Sequence, residues 1–192
     1  NVSFSRNMSK VLTKIMSAAL THLVYNGSMS NSFSDPASLY LRDEELIRGI
    51  EMLFYAYRDF TSDPDEILKA YGFGRAHHRV VHFVGRNPGM TVTELLTILK
   101  VTKQSLSRVL SQLVREGFVK QEKDRRDRRQ RLLSLTDRGE TLFAELSSPQ
   151  KKRVARAYRQ AGAEAVAGYC RVLADLLNSD EREAVLKSVE RS

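Results

Sequence analysis

Between Thr91 and Leu135 the hydrophobic pattern switches from a helical period to a strand-like one, with a hard break inside the helical part. Few folds accommodate that order. Thr91-Val92-Thr93-Glu94 has the form of a capping box, and Leu95, Ile98 and Leu99 supply one apolar face, which predicts a helix of about three turns. Val101-Thr102 is a tight break, and Thr102 is placed to cap a second helix over about 102–116. Leu106, Val109, Leu110 and Leu113 face inward in that helix; Lys103, Gln104, Ser105, Ser107, Arg108 and Gln112 are left outward, and Gly117 ends it. Residues 118–123 and 131–135 read as two short strands joined by the polar turn 124–130. Two short helices at a sharp angle followed by a charged hairpin describe a winged helix-turn-helix.

The flanks read as helical. Leu46, Ile50, Leu53, Tyr57 and Phe60, with Ile47 and Phe54 beside them, predict a helix over 43–60. Asp63-Pro64-Asp65-Glu66 offers an N-cap, a proline at the first helical position and a capping acid, so a separate short helix is expected up to Tyr71, stopping at Gly72. Another is expected over 75–86, ended by Asn87-Pro88-Gly89. After the hairpin, Thr136 caps a long helix lined by Leu142, Phe143 and Leu146, which Ser148-Pro149 restarts or kinks and which continues to Gly162. Helices over 163–177 and 180–189 complete the chain. The fold class expected is mostly α with a small β-hairpin: a winged lobe over 63–137 and a helical dimerisation region over 39–62 and 138–190. Residues 1–38 are rich in Ser and Asn and free of acids until Asp35. They read as a disordered or non-native extension, an over-extended start with Met8 or Met29 as the true beginning being preferred to a targeting peptide.

The formal net charge of +8 is unevenly placed. Eleven basic and four acidic side chains lie between Lys100 and Arg131, a net +7. A basic stretch concentrated on one segment is an electrostatic footprint for phosphate, although such a run is also compatible with a solvated surface. A hydrophobic content of 42% suffices for a core. No apolar run approaches the roughly 18 residues needed to cross a bilayer. The single cysteine, Cys170, excludes a disulfide framework and a Cys-cluster zinc site.

Three local patterns resemble the MarR family of bacterial regulators, over roughly residues 41–190. They are the block from Val101 to Leu110, the run Asp124-Arg125-Arg126-Asp127-Arg128-Arg129 with the wing pattern D-x-R-D-x-R, and the corner Leu135-Thr136-x-x-Gly139. The segment Gly74-Arg75-Ala76-His77-His78-Arg79-Val80-Val81-His82-Phe83 is similar to the PetP-like subgroup of that family. The resemblance implies a homodimer whose N- and C-terminal helices interlock, binding a palindromic operator in double-stranded DNA in the bacterial cytoplasm, in association with the nucleoid. It further implies that Arg129 inserts into the minor groove and that Asp127 orients it. It also implies an effector pocket, for which Tyr55, Tyr57, Phe60, Tyr71, Phe73 and His78 are candidates; aromatics at such positions are more often core, and the effector identity is not readable from the sequence.

A helix fits the major groove, where Gln104 can pair with adenine and Lys103 or Arg108 can reach guanine or phosphate. Thr102, Ser105 and Ser107 suit phosphate, Gln112 completes the outward set, and Arg125, Arg126, Asp127, Arg128 and Arg129 form the wing set. His78 and His82, four apart, share a helix face that suits two metal ligands, but no further ligand motif supports a metal, and a packed face is expected. Cys170 is expected to be buried packing rather than an oxidant sensor. No metal, cofactor or catalytic site is expected: the chain has no P-loop, dinucleotide fingerprint or hydrolase motif. The competing function is a winged helix used for protein–protein assembly without specific DNA binding.

Overall fold

The computed structural model describes residues 40–124, 127 and 129–190. Residues 1–38, and the wing residues Arg125, Arg126 and Arg128, lie outside the described residues. Two compact units divide between Ala56 and Tyr57. In the first, the helix α1 (Asp43–Ala70, which continues into the second unit) starts with Asp43, Glu44 and Glu45, acids that complement the positive end of its dipole. Leu46, Ile47, Ile50 and Leu53 stand exposed at helical spacing along it.

The second unit contains α2 (Arg75–Arg86), β1 (Met90–Thr91), α3 (Val92–Leu99), α4 (Lys103–Arg115), β2 (Val119–Lys123), β3 (Arg131–Leu135), α5 (Asp137–Ala161), α6 (Ala163–Asp175) and α7 (Arg182–Glu190). The strands form an antiparallel sheet in the order β1-β3-β2, with Val119 opposite Leu135 and Met90 opposite Leu133. One core joins Leu68, Val80, Val81, Val84, Leu95, Leu106, Leu113, Phe118, Leu133, Leu142 and Leu146. The architecture is that of a winged helix-turn-helix, mostly helical with a small sheet.

Several boundaries follow the local chemistry. Thr91 Oγ1 accepts the Glu94 N–H while the Glu94 carboxylate accepts the Thr91 N–H at 2.7 Å, closing the capping box on α3. Thr102 caps α4 and Thr136 caps α5 through the N–H groups of Ser105 and Gly139. Gly117, at φ 75°, occupies the left-handed conformation that ends α4.

The structure corrects four expectations. Asp63-Pro64 does not start a helix: α1 runs unbroken for 28 residues with Pro64 inside it. A proline there deprives the Phe60 carbonyl of its N–H partner four residues on. Gln150 of α5, itself buried, donates to that carbonyl at 3.4 Å, and Pro64 is fully buried. The strand β1, too short to show a period, was not legible; the Gly89 N–H bonds to the Leu133 carbonyl and leads the chain into it. Ile98 is 37% exposed, because the inward face of α3 is Val92, Leu95, Leu96 and Leu99. Cys170 is also exposed rather than buried, since α6 has no buried residue in the single chain.

Candidate nucleic-acid interface

The surface of α4 is set by its period. Leu106, Val109, Leu110 and Leu113 anchor the helix in the core, which turns Thr102, Lys103, Gln104, Ser105, Ser107 and Arg108 to solvent along its N-terminal half. Thr102 Oγ1 also donates to Ser105 Oγ at 2.9 Å, so the cap orders the first turn. Among the described residues Lys103, Arg108 and Arg129 form no ion pair, whereas Arg115 and Lys120 lie near Glu116 and Glu122. Cations not neutralised internally are the ones that gain most from a phosphate.

Gln112 differs from the rest of the outward set. It is half-buried, with its carbonyl accepting from His77 Nε2 at 3.0 Å and its amide donating to Glu116 Oε1 at 3.0 Å. The sequence pattern assigns His77 no part in the site. Its ring stacks on Phe73 with centroids 4.6 Å apart and planes within 6°. The signal was its place three residues after Gly74, in the capping position, where its Nδ1 accepts the Gly74 N–H at 3.2 Å.

The wing projects from β2 and β3, whose last pair is Lys123 with Arg131. Asp127 fastens the turn: its carboxylate accepts the Arg129 backbone N–H at 2.9 Å and the Gln130 side-chain amide at 3.2 Å. The bond between Asp127 and Arg129 therefore runs through the main chain, leaving the exposed Arg129 guanidinium outside it. At the wing's base, Thr136 Oγ1 donates to the Gly117 carbonyl at 2.6 Å, and the Thr136 N–H bonds to the Phe118 carbonyl. Arg138 donates to the Glu116 carbonyl and lies 4.2 Å from the centre of the Phe118 ring. The end of α4, the start of β2 and the start of α5 are thus one locked corner.

Of the effector candidates in the second unit, Tyr71 and Phe73 stack on each other with ring centroids 6.0 Å apart. Tyr71 and Phe73 meet against Phe118, and the Tyr71 hydroxyl donates to Glu145. Tyr57 and Phe60 are half-buried on α1, and among the described residues no ring contact joins either to Tyr71 or Phe73. Tyr55 lies on the first unit, edge-on to Phe54. On α2, His78 and His82 have ring centroids 6.3 Å apart. Burial, then the charge of His82, lowers the His78 pKa to about 4; burial, then Arg86 and Lys151, lowers that of His82. Burial thus favours the neutral form of both rings. Among the described residues no group of three or more His, Cys, Asp or Glu could hold a metal ion, and no helix is long and apolar enough to cross a membrane.

Comparison with known proteins agrees with this geometry. A model of the MarR family matches residues 71–130. The HTH-type transcriptional regulator PetP of Rhodobacter capsulatus is 50% identical over 154 residues, which cover 79% of this chain and 93% of that protein. This chain belongs to the MarR family. Among solved structures, Streptococcus pneumoniae FabT in complex with DNA superposes with a TM-score of 0.61 at 20% identity, covering 68% of this chain and 94% of that one. A MarR mutant from E. coli complexed with operator DNA gives 0.54 at 21%, covering 76% and 100%. At those identities the two structures establish the shared MarR fold.

Proposed function

We propose that this MarR-family chain is a transcriptional regulator that binds specific double-stranded DNA as a homodimer on a palindromic operator. The helix α4 enters the major groove and the wing the minor groove. The observation that carries this reading is the presentation of Thr102, Lys103, Gln104, Ser105, Ser107 and Arg108 on the exposed N-terminal half of α4, its two cations in no ion pair among the described residues. Residues 63–137 form the DNA-reading lobe, and 39–62 with 138–190 the dimerisation region. Gln104 and Arg108 are the base readers, while the hydroxyls and Lys103 meet phosphate. The names of the relatives support the reading: PetP is a transcriptional regulator, and FabT and the MarR mutant are complexed with DNA.

The test uses duplexes selected by the full chain from a random library. Arg108→Ala should weaken binding to the selected duplex by about 1–3 kcal/mol and relax its base preference. Arg129→Ala should cost a similar amount, more on a duplex with A·T-rich flanks, where a narrow minor groove concentrates negative potential. Fluorescence titrations against two duplexes differing only in those flanks measure both effects. Failure to select any sequence would count for the assembly reading. Equal Arg129→Ala losses on both duplexes would reduce the wing arginine to a general phosphate contact.

A further inference from the structure

We propose that His77 is a positioning residue for sequence reading: it sets the rotation of α4 through Gln112, without touching DNA. This rests on the DNA-binding reading above. The ring is held on its face and at both nitrogens. Phe73, only 7% exposed, stacks on it and packs edge-on against Phe118, so the plane of the imidazole is set by the core. The Gly74 N–H points at Nδ1, which must therefore lack a proton, and the ring hydrogen is on Nε2. Nε2–H donates to Gln112 Oε1, and that fixes which way the amide points, so that Gln112 Nε2 donates to Glu116 Oε1. The result is a one-way chain of donors from the start of α2 to the end of α4.

Its location gives it a function. Gln112 follows Arg108 by four residues and Gln104 by eight, so all three lie along one strip of the helix. A bond from α2 to that strip resists rotation of α4 about its own axis, the movement that would carry Gln104 and Arg108 off their bases. Arg138, bonded to the Glu116 carbonyl, holds the same end of α4 lengthwise. A base-reading side chain must be placed to within about half an ångström, and residues that do not contact the target commonly provide that placement. The chain works only with a neutral ring, because a proton on Nδ1 would face the Gly74 N–H. Burial, the largest influence, favours the neutral form, as does Arg108, and together they outweigh the bond to Gln112 and the charge of Glu116, which oppose it.

The experiment separates the two nitrogens in the full-length protein. His77→Asn keeps an acceptor for the Gly74 N–H but is too short to reach Gln112. His77→Gln carries an amide N–H to the position of Nε2 and forgoes the Gly74 bond. The readout is the ratio of affinities for the selected duplex and a scrambled duplex of the same composition. His77→Asn should lower that ratio about tenfold, the scale of one base-reading contact, and leave binding to the scrambled duplex unchanged. His77→Gln should restore most of the ratio. Gln112→Met should lower it as His77→Asn does, and the double variant should be no worse than either single one. An unchanged ratio in His77→Asn overturns the proposal. So do additive losses, or losses in both His77 variants that merely follow a fall in thermal midpoint. A wild-type chain that does not discriminate the two duplexes would instead overturn the function reading on which the proposal stands.

Discussion

A Cβ added to Gly139 would lie 2.0 Å from the Phe118 carbonyl oxygen, a distance no side-chain adjustment can relieve, because the obstacle is backbone. That carbonyl accepts the Thr136 N–H, and Thr136 in turn caps α5 and bonds to Gly117. The glycine in Leu135-Thr136-x-x-Gly139 is therefore required by close approach between the first turn of α5 and the base of the wing, not by an unusual φ. Gly139→Ala should destabilise the protein by about 3 kcal/mol, the upper part of the range for overpacking. At this chain length that lowers the thermal midpoint by about 10 °C, which a melt followed by circular dichroism measures. A shift of under about 2 °C would mean that the corner opens without cost. The residues at this corner were legible as a pattern in the sequence. The reason for the pattern was not, since it lies in contacts across the start of β2.

At the scale of elements, the caps and the inward face of α4, which depend on neighbours in sequence, could be read in advance. Thr91, Thr102 and Thr136 cap where their types and spacing place them, and the inward leucines of α4 follow its period. What Pro64 and Gln112 do depends on partners far along the chain, whereas Ile98 departs from the inward face of α3 locally. Asp63-Pro64 carries the signature of a helix start, and it is overridden because Gln150, 90 residues from Phe60, supplies the bond that the proline removes. The wing charges were legible by type, whereas the role of Gln112 was not, since it depends on a histidine 35 residues away. The Pro64 arrangement is testable by a cycle. Gln150→Leu leaves the Phe60 carbonyl buried without its donor, at about 1–3 kcal/mol. Pro64→Ala returns a backbone N–H to that carbonyl, so in this background Gln150→Leu should cost at least about 1 kcal/mol less. The lost packing of the proline ring cancels in the comparison. Urea denaturation of the four proteins checks it, and equal costs in both backgrounds would deny Gln150 its compensating role.

At the scale of the whole molecule, each unit by itself leaves an apolar face in water. On α1 the face comprises Leu46, Ile47, Ile50, Leu53 and Phe54. In the second unit, Tyr169, Val172 and Leu176 on and just after α6, together with Val185, Leu186 and Val189 on α7, form others; Val172 is 59% and Leu176 63% exposed. Apolar residues repeated along one face of successive helices are costly to hydrate, and a second copy of the same chain offers the same faces in return. The full chain should therefore sediment at micromolar concentration with about twice its 21.8 kDa mass. Leu53→Glu and Leu176→Glu place a charge on each face and should yield monomers of unchanged helical content. Both side chains lie outside the core around α4. The monomers should keep weak, salt-sensitive binding to any duplex and lose the preference for a palindrome with half-sites about ten base pairs apart, since one lobe spans only one half-site. Dimers from both variants would show that the apolar faces serve another purpose. A wild-type monomer would remove the physical basis for a palindromic operator altogether.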